Sequence, residues 1–457
     1  MGYYERYNNA DFGDKRLSKR LPIILEQLSR EPTASISAAC KDPYQAKAAY
    51  RFVGNDEVTY EEIVKTAHDI TIANIYAAKP SVVLIPQDTS EMNYSNLKAA
   101  SGLGNIGSSK TAMGIHAHSA LAISDAGEMF GLVAQKLWVR PPENFGQSDT
   151  KRSKLPIEEK ESYKWLETLD MVGASFPEGT KVVHVCDREG DIYELFCKAE
   201  KSGALYLCRR FHNRPIAEEN GLKKLDDLVD ALPNAGILDI RVPRDSHTGR
   251  EARTAKIAIK FGKCKTTKSS KLAGNKELPD SIEVYFVSAE EVNPPEGQEK
   301  ILWKLITNVP IKDFENAATA IQWYTQRWKI ETFHRTLKSG CKVEDIQSGS
   351  AEKLMKLIAI YSIVALDIML ISYVARTQPD VSCENWLTED EWKILCRVAN
   401  KTKTLPEKPP TIHEAVVMIA KLGGFLARKS DGFPGVTVIW RGLTKFYFIA
   451  DAASFLI

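Results

Sequence analysis

Two short stretches decide the fold class of this chain: residues 81–88, SVVLIPQD, and residues 181–187, KVVHVCD. Each is a continuous apolar run, the pattern of a strand buried on both faces of a sheet, and each ends at an aspartate. Open α/β sheets place their functional groups at the carboxyl ends of such strands. A lone aspartate there is more often a turn or helix cap, but two in one sheet favour a site. Asp88 and Asp187 are therefore the first candidate site residues.

The surrounding segments predict an α/β fold with a mixed sheet. Strand patterns and one helix pattern occur at residues 112–124, 129–140, 158–171 (helix) and 204–211. Residues 212–300 contain short alternating segments between prolines and glycines, which predicts an inserted β subdomain. Between Arg244 and Lys271, nine basic residues stand against two acidic ones. This bias indicates either a solvated hairpin or a face that contacts phosphate.

Helices are predicted on both sides of this core. Residues 1–75 form amphipathic segments with a basic face, which is either a solvated surface or part of a small helical DNA-binding domain. That face comprises Arg16, Lys19, Arg20, Lys41, Lys47 and Arg51. Residues 377–410 are polar and proline-rich near their end, which predicts a linker or loose helical connection before further helices. The predicted domains are residues 1–75, 76–376 with the insert at about 203–305, and 377–457.

A third group of candidate residues lies on one predicted helix, Phe314–Gly340. Four of its residues, spaced i, i+3, i+7 and i+14, fall near one face. They are Tyr324, Arg327, Glu331 and Lys338. This stripe is either a surface ion-pair ladder or a metal ligand flanked by cations for phosphates. With Asp88 and Asp187, Glu331 would complete an oxygen-rich site suited to Mg²⁺ or Mn²⁺, a type that holds two ions ~3.5–4 Å apart.

Charge and composition limit the alternatives. The chain has 457 residues, with 61 Lys and Arg against 59 Asp and Glu, so its formal net charge is +2. That balance alone argues against a nucleic-acid partner, but the basic residues are clustered and the average hides this. No uninterrupted apolar run of membrane-spanning length and no secretory signal are expected. The eight cysteines form no C-x-x-C pair, which favours a reducing, cytoplasmic location.

These residues carry a resemblance to a known family. The four residues of the predicted helix meet the signature Y-x-x-R-x-x-x-E-x-x-x-x-x-x-K in full. The sequence resembles the bacterial cut-and-paste DDE transposases and, within them, the insertion-sequence-four family. The resemblance covers essentially the whole chain. Its other matching words are Gly13–Arg16, Gln87–Ser90, Cys186–Asp191, Leu302–Lys304 and Leu422–Phe425.

The resemblance implies a fold, a cofactor and partners. The fold would be α/β, with a ribonuclease-H-like catalytic core and an inserted β subdomain. An N-terminal helical DNA-binding domain and a C-terminal helical dimerisation region would flank it. Asp88, Asp187 and Glu331 would bind two Mg²⁺ or Mn²⁺ ions per active site. The partners would be double-stranded DNA (transposon terminal repeats and target DNA) and a second copy of the chain, in a bacterial cytoplasm at the nucleoid, with no membrane.

Further roles are implied for residues beside the acids. Tyr324, Arg327 and Lys338 would contact phosphates of the transposon end. Trp303 would stack on a base that is flipped out when the DNA hairpin forms, since stacking offsets part of the cost of flipping; it could equally be a core aromatic. Secondary candidates for DNA contact are Arg188, His334 and Arg335.

Three functions are compatible with the sequence. The first is a transposase that nicks DNA, forms and opens a hairpin, and joins the freed end to target DNA. The second is a ribonuclease-H-like nuclease that cuts without transposing. The third is a DNA-binding regulator that occupies transposon ends. The intact set of three acids favours an enzyme, and a product begun at Met92 is predicted to be inactive because it lacks Asp88.

Overall fold

A mixed sheet, twelve-stranded over the described residues, runs through the molecule. The computed structural model describes residues 3–33, 35–40, 42–146, 155–219, 222–242, 252–428 and 431–454. The strands are β1 Val82–Asn93, β2 Gly104–Asn105, β3 Met113–Ser124, β4 Met129–Trp138, β5 Lys181–Cys186, β6 Leu205–Arg209, β7 Pro215–Glu219, β8 Leu222–Lys224, β9 Gly236–Val242, β10 Arg253–Thr267, β11 Ser281–Glu291 and β12 Leu302–Thr307.

Strand β1 lies in the interior of this sheet. It pairs antiparallel with β3 on one side and parallel with β5 on the other. Its first six residues, 82–87, are all buried, as the continuous apolar run predicts. Strand β6 then pairs parallel with β5, which completes the mixed sheet expected from the sequence.

The inserted strands extend the same sheet. Strand β12 pairs with β6, and β11, β10 and β7 follow in order beyond it. The expected β subdomain is therefore continuous with the rest of the sheet at the β6–β12 pair. The sequence pattern identified these strands but could not show their neighbours.

Helices cover the sheet and form both ends of the chain. They are α1 Lys15–Arg30, α2 Ile36–Ala39, α3 Pro43–Val53, α4 Tyr60–Ala78, α5 Lys164–Val172, α6 Tyr193–Ser202, α7 Leu225–Ala231, α8 Phe314–Thr325, α9 Trp328–Arg335, α10 Ala351–Thr377, α11 Glu389–Asn400, α12 Ile412–Leu422 and α13 Val436–Ser454. Side-chain caps begin several of them, including capping boxes at Thr388 and Thr411.

Helix α10 is the central helix of the largest core. By length and composition it could cross a membrane, yet 83% of its most apolar window is buried within the fold. Ser350 caps its start, and apolar residues surround it on nearly all sides. It packs against α1, α4, α12 and α13, so N-terminal and C-terminal helices share its core. A helix apolar all round is expected at such a position.

Two sequence predictions need correction. The single helix predicted over residues 314–340 is divided into α8, α9 and a π-helical turn, Thr336–Gly340. Between α8 and α9, the backbone amides of Gln326 and Arg327 donate to carbonyls only three residues earlier, as in a 3₁₀ turn. This narrows the helical path between the two helices. The predicted linker 377–410 contains α11, whose apolar stripe packs on α12 and α13.

Candidate active site

Asp88 and Asp187 occupy neighbouring positions on parallel strands. The last paired residues of β1 and β5 are Pro86 and Val185, and each aspartate lies two residues beyond its own member of that pair. Parallel strands are about 4.8 Å apart, so the two carboxylates stand side by side. Burial raises the pKa of Asp187, and the charge of Asp88 raises it further against a backbone hydrogen bond from Glu189. The two acids therefore form a like-charge pair.

Asp88 lies within a strand, which corrects the sequence prediction that the strand ends before it. Strand β1 continues to Asn93 because β3 pairs with it along that length, and Ser119 lies opposite Asp88. Only the parallel partner β5 ends at this level, with Asp187 directly after it. The polar residues that follow Asp88 resemble a loop in sequence, but their backbone pairs with strand β3.

Helix α9 brings Glu331 to the same region. Its carboxylate accepts a hydrogen bond from the guanidinium of Arg327, and its side chain is 54% exposed. Burial lowers the pKa of Arg327, but nearby negative charges, including those of Glu331, Asp88 and Asp187, outweigh burial and raise it. One guanidinium thus lies within the electrostatic reach of all three acids.

Tyr324 contacts Arg327, and Trp303 packs against Tyr324. Tyr324 is buried, and burial raises its pKa, while a hydrogen bond with Arg327 acts in the opposite direction. The rings of Trp303 and Tyr324 meet edge to face with centroids 5.9 Å apart. Trp303 is partly buried on β12, opposite Ala289 of β11. The structure places Tyr324 next to Arg327 and Trp303 against the ring of Tyr324.

Lys338 reaches the other end of the site. Its ammonium group donates to the backbone oxygen of Glu91 at 2.9 Å and lies 3.1 Å from the carboxylate of Glu344. Lys338 also lines an open cleft of about 730 Å³ together with Thr89, whose side chain lies on the sheet face opposite Asp88. The cleft's other charged residues are Glu91, Arg140, Glu161, Lys164 and Glu189.

The three secondary DNA-contact candidates are placed differently. Arg188 and Arg335 are exposed near the acids. His334 is 6% exposed, and its Nδ1 lies 3.8 Å from the carboxylate of Asp88. Contact between His334 and DNA stays a prediction, and in the protein alone the ring of His334 is buried beside Asp88. Its place one turn after Glu331 on α9 explains its closeness to Asp88, and no signal in the single sequence distinguishes it from an exposed histidine.

The acids have the donor chemistry of a divalent-cation site. Carboxylate oxygens suit Mg²⁺ and Mn²⁺, and the repulsion between Asp88 and Asp187 is of the kind that a bound cation relieves. Within the described residues, no three His, Cys, Asp or Glu side chains already stand together as a ligand set. Glu331 is turned towards Arg327 instead. The residue types therefore fit a metal ion, and Glu331 would complete the set by leaving Arg327.

Three residues behind the acids are not predicted by the sequence patterns. Gln87, His118 and His184 are buried on three strands, and Gln87 forms a hydrogen bond with each of the two histidines. The spacing of His116 and His118 on one strand favours a structural role over a metal site, since it offers no third ligand. The hydrogen bonds of His118 agree with that interpretation. The only sign of this cluster in the sequence was the presence of polar residues inside otherwise apolar strands.

Three family models match this chain. Residues 4–58 match a transposase DNA-binding model, residues 219–366 a transposase DDE domain and residues 363–456 a Tn5 transposase dimerisation domain. The DDE match includes Glu331 and begins after both aspartates.

A solved structure, the cryo-EM synaptic complex of piggyBac transposase with hairpin DNA, is 10% identical to this chain with a TM-score of 0.31. The alignment covers 74% of this chain and 56% of that one. A likeness of this strength supports no conclusion about the chain. The three family matches lie in the order DNA binding, catalysis and dimerisation, and together they span most of the sequence. The chain belongs to the DDE transposases of the Tn5 type.

Proposed function

We propose that this protein is a cut-and-paste DNA transposase that acts as a homodimer on the terminal repeats of its element. The observation that carries the proposal is the convergence of Asp88, Asp187 and Glu331 around Arg327. The proposed domains are residues 1–75 for DNA binding, 76–376 for catalysis and 377–457 for dimerisation. The family matches to residues 4–58 and 363–456 support the two outer assignments.

Asp88, Asp187 and Glu331 would hold two Mg²⁺ or Mn²⁺ ions. When bound, such ions activate an attacking water or 3′-hydroxyl and stabilise the leaving oxygen. Glu331 would turn from Arg327 towards the two aspartates. That exchange frees the Arg327 guanidinium to bind a DNA phosphate, for which its planar fork of donors is well suited.

The neighbouring residues would hold and orient the DNA. Tyr324 fixes Arg327 through its hydroxyl, and Lys338, Arg188 and Arg335 supply positive charge around the acids. Trp303 would stack on a flipped base during hairpin formation. The proposed order is a nick, hairpin formation, hairpin opening and strand transfer into target DNA.

A cleavage assay tests this function directly. Purified protein with Mg²⁺ and labelled terminal repeats is expected to give a nick, then a hairpin, then a blunt end. Asp88→Asn, Asp187→Asn and Glu331→Gln should each abolish cleavage while DNA binding persists. Asp170→Asn and Glu389→Gln are matched controls, because both acids are exposed and ion-paired away from the site.

Three results would contradict the proposal. Cleavage that survives removal of any of the three acids would refute the metal site. Binding of terminal repeats without cleavage by the unmutated protein would favour a regulator of transposition. Cutting without strand transfer would favour a nuclease.

A further inference from the structure

We propose that Gln87 is a positioning residue, which aligns Asp88 with Asp187 through hydrogen bonds to His118 and His184. The proposal rests on the function proposed above, because it concerns the acids that would hold the metal ions. It gives a role to the buried cluster of Gln87, His118 and His184, none of which is among the proposed catalytic residues.

The cluster lies on the face of the sheet opposite the acids. Side chains alternate along a strand, so Gln87 and Thr89 point away from the face that carries Asp88. On that far face, Gln87 is 1%, His118 0% and His184 3% exposed. His118 belongs to β3 and His184 to β5, the two strands that flank β1.

Each hydrogen bond in the cluster fits a single set of proton positions. The amide nitrogen of Gln87 donates to Nδ1 of His184 at 2.7 Å. The amide oxygen of Gln87 accepts from Nε2 of His118 at 3.3 Å. The hydroxyl of Thr89 donates to Nδ1 of His118 at 2.9 Å. Both imidazoles are then neutral, in keeping with the burial that lowers the pKa of each.

These hydrogen bonds connect β1 to both of its neighbours, β3 and β5, and so link the strands that position Asp88 and Asp187. Gln87 immediately precedes Asp88, and His184 lies three residues before Asp187 on the parallel strand. A buried amide fixed at both ends resists sliding of one strand against the other, because movement would leave polar groups without partners. The side-chain bridge spans β1 and β5 close to the point where their backbone pairing ends at Pro86 and Val185.

A buried threonine in the inserted strands offers a control. Thr266 of β10 is 0% exposed, and its hydroxyl donates to the backbone oxygen of Pro215 at 3.0 Å. This bond touches none of the strands β1, β3 and β5. Loss of the Thr266 hydroxyl therefore reports the general cost of disturbing a buried polar group in this sheet.

Mn²⁺ binding to the full-length protein without DNA tests the proposal. Electron paramagnetic resonance measures free Mn²⁺, and thermal melting shows that each variant is folded at the assay temperature. Gln87→Leu should weaken Mn²⁺ binding by roughly 10- to 100-fold, the usual effect of losing an outer-shell partner. Thr266→Val should change it by less than about twofold, as for an independent site.

Two variants of His184 test the same proposal if Gln87→Leu fails to fold. His184→Asn retains an acceptor near the position of Nδ1 and should restore Mn²⁺ binding, whereas His184→Leu removes the acceptor and should weaken it. Unchanged Mn²⁺ binding in both Gln87→Leu and His184→Leu, or an equal loss in Thr266→Val, overturns the positioning role. An unmutated protein that binds Mn²⁺ but does not cleave its DNA overturns the proposed function alone.

Discussion

At the scale of single residues, Arg327 is the side chain that interacts with all three acids of the site. Its guanidinium donates to Glu331 and is stabilised by the charges of Asp88 and Asp187. In this arrangement it neutralises acids that would otherwise repel one another. In the proposed site, the same guanidinium would compete with divalent cations for Glu331.

Replacement of Arg327 is therefore expected to separate cation binding from cleavage. Arg327→Ala should bind Mn²⁺ at least as tightly as the unmutated protein, because Glu331 is released. Its cleavage rate should fall by roughly 10- to 100-fold, the effect of losing a charged hydrogen bond to phosphate. Mn²⁺ titration and a nicking assay measure the two effects. Lys393→Ala, which breaks the i,i+4 pair with Glu389, is the control.

His184 is expected to make the stability of the fold depend on pH. Burial lowers its pKa from about 6.5 to about 4, so the unfolded chain takes up a proton more readily than the folded one. The stability that this group contributes is complete above pH 6.5 and is lost as the pH falls towards 4, a change on the order of 3 kcal/mol.

Urea denaturation at pH 7, 5.5 and 4.5 tests this expectation. His184→Asn carries no titratable group at this position and should show a smaller loss of stability over the same range. Equal pH dependence in the two proteins would show that another group is responsible.

At the scale of elements, acids surround the basic segment that includes strand β10. Four described cations of residues 244–271 pair with acids on neighbouring segments: Arg253 with Glu291, Lys256 with Asp239, Lys263 with Glu283 and Lys268 with Asp280. Arg244 and Arg250 lie outside the described residues, as does Lys41 of the N-terminal face. Paired charges leave a weaker local field, so phosphate contact at β10 loses its main support.

The salt dependence of DNA binding should reflect this pairing. The double variant Lys256→Gln/Lys263→Gln is expected to change the slope of log affinity against log salt by less than about 1. The exposed Lys47 and Arg51 of α3 serve as the comparison. Their joint replacement by Gln should reduce the slope by about 2 if both contact phosphate. A larger effect from the β10 pair would restore the basic face as a DNA contact.

The crossing of α12 and α13 depends on two glycines. A Cβ on Gly442 would lie 1.9 Å from the backbone oxygen of Ile419, and one on Gly423 would lie equally close to that of Val438. Alanine normally stabilises a helix interior relative to glycine by about 1 kcal/mol. Here the close backbone contact reverses that preference.

Gly442→Ala should therefore destabilise the protein by about 1–3 kcal/mol, the cost of overpacking. Gly435→Ala is the control, since open space surrounds that position. Thermal melting of the two variants measures the difference. A Gly442→Ala protein as stable as the unmutated one would show that the helices separate without cost.

At the scale of the whole molecule, the outer helices are joined to the catalytic core. Arg30 of α1 lies 3.3 Å from the carboxylate of Glu391 on α11 and stacks near the ring of Tyr447 on α13. Leu21 and Leu25 of α1 belong to the same apolar cluster as α10. The N-terminal DNA-binding helices are thus part of one continuous core.

A product begun at Met92 should fail to fold. It would lack most of β1, the strand between β3 and β5, and would leave both neighbours unpaired. Soluble yield and circular dichroism of residues 92–457 would measure this. A chain begun at Thr59 keeps β1 and isolates the effect of the missing N-terminal helices. A cooperative melt of residues 92–457 would contradict the expectation.

Local patterns predicted much of this architecture and part of the site. The strand that ends before Asp187 and the placement of Tyr324, Arg327, Glu331 and Lys338 near one face followed from spacing and composition, whereas their joint role came from the family resemblance. The position of Asp88 within β1 did not, because only the pairing with β3 extends that strand. The Gln87 cluster also depends on which strands are neighbours. A single sequence records residue types in order, whereas such contacts arise from pairings far apart in the chain.

The continuity of the sheet across β6 and β12 has a consequence for synthesis of the protein. Strand β6 gains its second neighbour only when residues 302–307 have been made, and Glu331 follows later still. Pairings between such distant segments form slowly, because long loops must close first. A growing chain therefore carries Asp88 and Asp187 before their proposed partner, and the proposed cation site cannot form until Glu331 has been made.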